Sequence, residues 1–278
     1  MQAGAVNWKV FCSCWSLGLC VPALAWTVPA QAQQWSTTEA QIQYGNLTVP
    51  DFSGAGTDET IIFTGQHASG WSFGDVFTFV DVSKGADSEV NHFNDWDIYG
   101  ELYLNFSSTK LLDAKYSGPI NDLGLIAGVN YGHDAGVLKF LPGVRVAWNM
   151  PGFKFFNTDV MAYLDASEGV SGGAFNAPKE TDSWMIDANF ASKSLDLGGQ
   201  FFNIEGHVEY IDGRRNEFGA PVSWHVLGQP QIRWDAGNLL FNKRDKLFLG
   251  IEYQFWFNKL GEAGTDEHVA QALAVWRF

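Results

Sequence analysis

The stretch "FFNIEGHVEY", residues 201–210, alternates without a break. Phe202, Ile204, Gly206, Val208 and Tyr210 fall on one side, and Asn203, Glu205, His207 and Glu209 on the other. A period of two is the signature of a strand with two unlike faces. The same rhythm runs through "LFLGIEYQFWF" (247–257), where Leu249, Ile251, Tyr253 and Phe257 oppose Gly250, Glu252 and Gln254. It also runs through "DIYGELYLNF" (97–106), where Ile98, Leu102, Leu104 and Phe106 oppose Tyr99, Glu101, Tyr103 and Asn105.

Turn-forming segments such as "SKGAD", "SGPIND", "MPGF", "SLDLGG", "DGRRNEFG" and "NKLGEAGTDE" separate these runs. The spacing predicts strands at 36–45, 58–69, 73–83, 96–107, 122–132, 137–149, 154–166, 182–193, 200–212, 222–235, 246–258 and 267–278, twelve in all. Residues 46–57 read as a loop.

Two all-β architectures accept this pattern. In a sandwich the apolar face is the core; in a membrane barrel it meets lipid and the polar face lines the lumen. The polar faces decide for the barrel. Placing Glu205, His207 and Glu209 in lipid would cost roughly 2–4 kcal/mol for each basic group at mid-depth and somewhat less for each acid. The same faces mix ionisable groups with large aromatics, unlike a water-facing sheet rich in Lys, Ser and Thr. Aromatics at strand ends (Phe106, Trp148, Tyr210, Trp224, Trp234, Phe257) suit two interfacial girdles.

Composition agrees. The 278-residue chain has 22 Phe, 12 Trp and 30 Gly, yet no stretch beyond the leading segment approaches the roughly 18 consecutive apolar residues of a membrane helix. Residues 1–32 carry Lys9, an apolar run and "AQA" (30–32), the pattern of a removed export signal. All three cysteines (Cys12, Cys14, Cys20) lie in that segment, so disulfides do not hold the barrel. A formal charge of −14 argues against nucleic acid as a partner.

The ending, "HVAQALAVWRF" (268–278), places Ala270, Ala272, Ala274, Trp276 and Phe278 on one face. Such an ending resembles the signal read by the barrel assembly machinery, with the last strand pairing to the first. The expected location is the bacterial outer membrane, with its lipid as surroundings.

Within "GQHASGWSFGDVFTFVDV" (65–82), Trp71, Gly74, Asp75, Phe79 and Asp81 stand in a W-x-x-G-D-x-x-x-F-x-D pattern. The segment resembles the nucleoside-specific channel-forming outer-membrane proteins, the Tsx-like family. In the next strand Glu101 is present, but Leu104-Asn105-Phe106-Ser107 replaces the family's Pro-Arg pair. The resemblance implies a 12-stranded barrel with a narrow lumen that passes nucleosides.

By alternation, Asp75, Phe77, Phe79 and Asp81 face inward, as do Tyr99, Glu101, Tyr103 and Asn105. Aromatic faces would stack a base, and carboxylates and amides would meet sugar hydroxyls. Glu205, His207, Glu209 and Arg233 complete the candidate lining. Arg145, Arg233 and Lys139 are also expected to neutralise Glu101, Glu205 or Asp81, which would make the charges structural.

No metal spacing and no cofactor motif occurs, and "GVSGG" (169–173) lacks the strand–helix elbow of a hydrolase. Two alternatives stay open: a plugged barrel working through its loops, and a rim lipid hydrolase using His225 with Ser223 or Ser192.

Overall fold

A computed structural model describes residues 33–86, 96–173 and 176–278. The expected export signal, residues 1–32, lies outside the described residues. Twelve antiparallel staves close a barrel. They are β1 (Gln33–Thr48), β2 (Thr57–Trp71), β3 (Gly74–Gly85), β4 (Asp97–Ser107), β5 (Ile120–Gly132) and β6 (Val137–Trp148). The series continues with β7 (Phe153–Asp165), β8 (Ser183–Ser192), β9 (Gln200–Ile211), β10 (His225–Gly228 with Gln231–Asp235), β11 (Leu247–Phe257) and β12 (Glu267–Arg277). Each predicted strand has its counterpart.

Neighbours in sequence pair with one another, and β12 pairs with β1 from Glu39↔Arg277 to Tyr44↔Ala272. The Phe278 amide donates to the Thr38 carbonyl at 3.0 Å. Closure leaves neither terminal stave with a free edge.

Two expectations need correction. Residues 46–57 are not all loop, because β1 runs on to Thr48, Asp51–Ser53 forms a 3-10 turn and β2 begins at Thr57. Residues 222–235 do not form one continuous strand, because Gln229 and Pro230 interrupt β10 between its two pieces. Proline has no amide hydrogen to give the ladder. Both pieces still pair with β9 and β11, so the stave is broken but not lost. Gly206 sits against the break with φ 147°, and a Cβ there would lie 2.4 Å from the Gln229 carbonyl oxygen. Only glycine lets the two backbones approach so closely.

Polarity is inside-out. Ile42, Phe63, Val80, Leu102, Leu125, Val144, Val160, Ile204, Ile232 and Ile251 are exposed outward. Glu39, Gln41, Asn130, Asp159, Arg233, Glu252 and Gln271 are buried inward.

Outward aromatics gather at both ends. At one rim the Trp184 and Tyr210 rings meet tilted at 5.4 Å and Tyr210 stacks on Trp224 at 6.2 Å, with Trp184 Nε1 and Tyr210 Oη donating to Asp212 at 3.0 and 2.8 Å. Toward the other end Trp148 donates to Thr158 at 3.0 Å and Trp234 to Gln200 at 2.8 Å. An apolar band between aromatic girdles around a polar interior is the arrangement of a membrane-spanning barrel.

Candidate functional site: the lumen

Pairing of β3 with β4 brings two candidate rows together: Asp75↔Asn105, Phe77↔Tyr103, Phe79↔Glu101 and Asp81↔Tyr99. Phe77, Phe79 and Tyr99 form a ladder of rings with centroids 6.1 Å apart at each step. Tyr99 Oη donates to Glu101 at 2.6 Å, and Asn130 of β5 donates to the same carboxylate at 2.8 Å. Tyr103 Oη donates to Asn130 at 3.0 Å. Asp81 accepts from Thr64 at 2.6 Å. The two rows are thus cross-strand neighbours along the inner face of β3 and β4.

Facing it is the inner row of β9. Glu205 is ion-paired with Arg233 of β10. His207 meets Gln229 at 2.9 Å and lies 3.4 Å from Asp187 of β8. Glu209 is 8% exposed and, among the described residues, has no hydrogen-bond or ion-pair partner. Glu209 stands directly opposite Asp187 of β8 in the β8–β9 ladder.

Two ionic struts cross the interior. Arg233 reaches Glu39 of β1 at 3.1 Å, and Glu39 also binds Arg277 at 2.6 Å. Arg145 of β6 holds Asp159 of β7 through two nitrogens at 2.7 and 2.6 Å, and extends to Asp75 at 2.9 Å. Asp75 also accepts from Asn105 at 2.7 Å. The neutralising pairs thus differ from expectation for two of the three cations. Arg233 does pair with Glu205, but Arg145 takes Asp75 and Asp159, while Lys139 takes Asp165 and Glu180, each at 2.8 Å. Strand register, which brings Arg145 opposite Asp159, makes that choice.

A chain of amides runs along the other wall. Gln43 donates to Gln41 at 3.3 Å, Gln231 to Gln41 at 3.2 Å and to Glu252 at 2.6 Å, and Gln271 to Glu252 at 3.0 Å. Between β5 and β9 the lumen is filled by apolar side chains: Ile126, Leu141, Met161, Met185, Tyr163 and Ile211. Sequence reading missed this block, although Leu141, Met161 and Met185 occupy inward positions of their strands. It also missed Asp159, Asp187 and Glu252, which alternation alone would have placed.

What remains open to water is narrow. The Asp75, His207, Glu205 and Asp187 side chains keep 33%, 24%, 16% and 12% exposure, whereas Arg233 and Glu39 keep 1% each. Phe77, Phe79, Tyr99 and Tyr103 are half-buried along the same gap.

The hydrolase pairing with Ser192 does not form. Ser192 accepts from the Ile204 amide, whereas His225 sits opposite Ile211, seven positions along β9 or about 23 Å away at 3.3 Å per residue. No group of three His, Cys, Asp or Glu side chains among the described residues is placed to hold a metal ion.

No family model and no curated protein matches the chain. Among solved structures, it is similar to one described as "NanC porin structure in rhombohedral crystal form". That alignment covers 86% of this chain and 98% of the other, at 9% identity and a TM-score of 0.49. It is also similar to a protein from "Unveiling the Mechanism Behind the in-meso Crystallization of Membrane Proteins". There the coverage is 87% and 83%, the identity 11% and the TM-score 0.39.

Proposed function

We propose that the chain is a bacterial outer-membrane channel for passive diffusion of small neutral or cationic solutes, with nucleosides as the solute class. One observation carries this reading: aromatic rings on one wall of the lumen (Phe77, Phe79, Tyr99) and, on the other, carboxylate acceptors that water reaches (Asp187, Glu205).

A base can stack on such rings, at about 1–3 kcal/mol per base in comparable sites. Sugar hydroxyls then donate to carboxylates spaced along the track, and several weak contacts in series let a solute enter and still leave. Nucleotides are repelled by the same acids. The nucleoside assignment draws on the W-x-x-G-D-x-x-x-F-x-D motif as well as on the lining. Phe278, 70% exposed beside the β12–β1 seam, is the expected handle for the assembly machinery.

A second reading has its own support. The struts and the apolar block fill much of the cross-section, which favours a closed barrel acting through its loops. Uptake of labelled uridine and of a labelled hexose into vesicles containing the folded protein separates the two. Faster uridine entry supports the channel; no entry of either supports the closed barrel.

A further inference from the structure

At the barrel end where Phe278 lies, a short helix, Ala236–Phe241, leads into "NKRDK", residues 242–246. Leu239, Leu240 and Phe241 are 60%, 57% and 52% exposed on its surface. Apolar side chains of that size do not stand in water at a loop by preference.

Directly beside them is a pocket of about 480 Å³ lined by Phe241, Lys243, Lys246, Trp276, Arg277 and Phe278. Lys243 and Lys246 have no side-chain partner among the described residues. Arg244 stacks over Phe201 at 3.5 Å, which fixes a third cation at the same rim. The nearby acids go to the two arginines: Glu39 binds Arg277 at 2.6 Å, Asp245 lies 3.9 Å from Arg277, and Asp235 lies 4.0 Å from Arg244, while the terminal carboxylate of Phe278 lies at the recess without bonding either lysine. Lys243 and Lys246 are therefore the two unpaired cations of the recess.

Depth in the membrane gives the charge its meaning. Trp276 is an outward residue of β12, paired with Leu247, so the pocket opens at the level where an interfacial girdle meets headgroups. A cationic recess whose floor is aromatic and whose shoulder is Leu239, Leu240 and Phe241 matches a phosphate with acyl chains below it.

We propose that this recess binds the headgroup of an anionic phospholipid, with Lys243 and Lys246 on the phosphate and the exposed helix residues against the chains. The site is independent of the solute the lumen carries; it requires only that the barrel sits in a membrane.

The test is native mass spectrometry of the folded protein in micelles, titrated with phosphatidylglycerol, phosphatidylcholine or inorganic phosphate. One phosphatidylglycerol should bind at least fivefold more tightly than phosphatidylcholine, and inorganic phosphate more weakly than either lipid. In the K243Q/K246Q variant the preference for phosphatidylglycerol should vanish, with each single variant intermediate. The control K154Q, whose lysine lies outside the recess, should keep it. Equal binding of the two lipids overturns the proposal, as does a preference that survives the double substitution. Inorganic phosphate binding as tightly as the lipid would also overturn it, by making the recess a free-anion site.

Discussion

Arg233 and Glu39 meet at 3.1 Å across the barrel interior, although they are 194 residues apart and two staves, β11 and β12, stand between theirs. Each side chain is 1% exposed. The contact ties the β9–β10 wall to the seam where the barrel closes, and Arg277 on β12 binds the same carboxylate. Stability and closure are therefore coupled at one carboxylate.

Removing the strut should weaken the barrel. Arg233→Ala leaves Glu205 without a cation and Glu39 with Arg277 alone, and stranding a buried partner costs about 3–5 kcal/mol when water is excluded. Lumen water reaches Glu205, so the expected loss is toward the low end of that range. A lower midpoint in heat-modified gel migration would show it; Arg233→Lys should recover part of the loss.

Glu209 should behave in the opposite way. It has no partner to strand, so Glu209→Gln removes a buried, unpaired carboxyl and should leave the unfolding midpoint unchanged or raised. Its carboxyl group, however, lies in the lumen wall beside Asp187, its cross-strand neighbour on β8. In a potassium chloride gradient at alkaline pH, where a buried carboxyl ionises, the variant's reversal potential should move toward zero as cation preference falls. An unchanged potential would remove Glu209 from the permeation path.

Gly206 is held by the break in β10. An added methyl would meet the Gln229 carbonyl oxygen at 2.4 Å, at a backbone angle L-residues rarely adopt. Gly206→Ala should cost about 1–3 kcal/mol. It should also disturb the Gln229 contacts to His207 and Gln254, both 2.9 Å, which a change in single-channel conductance would report.

Outside the membrane span, Glu262 latches one loop to another. Its carboxylate accepts from the Asp51 and Phe52 amides at 2.8 and 3.1 Å and from Thr265 at 2.6 Å. Partial burial works to raise its pKa, but these hydrogen bonds outweigh it and hold the group below the ordinary glutamate value. A depressed folded-state pKa means the latch is present above the unfolded value and is lost as pH falls through the folded one. Hydrogen exchange at residues 51–53, corrected for intrinsic rates, should lose protection on acidification. Glu262→Gln should lose it at neutral pH.

How much of this could be read beforehand follows from what alternation can and cannot encode. A period of two assigns Glu205, His207 and Glu209 to one side, and the cost of charge in lipid tells which side. It says nothing about which inward residue meets which, because that depends on register summed around a closed barrel. Asp75 and Arg145 are 70 residues apart, and only closure makes them partners. The break in β10 was legible in principle, since Gln229-Pro230 places a residue without an amide hydrogen inside a predicted strand. The apolar block of Leu141, Met161 and Met185 was hidden for another reason: these side chains also suit the lipid face, so composition could not flag them.

The central claim is that solute passes along the ring ladder. Planar-bilayer conductance of the folded protein, titrated with adenosine, uridine and a hexose, tests it most directly. The account predicts discrete steps that nucleosides reduce and the hexose does not, with the block weakened several-fold in Phe79→Ala. Steps indifferent to every nucleoside, or no steps from protein shown to be folded by heat-modified migration, would contradict it.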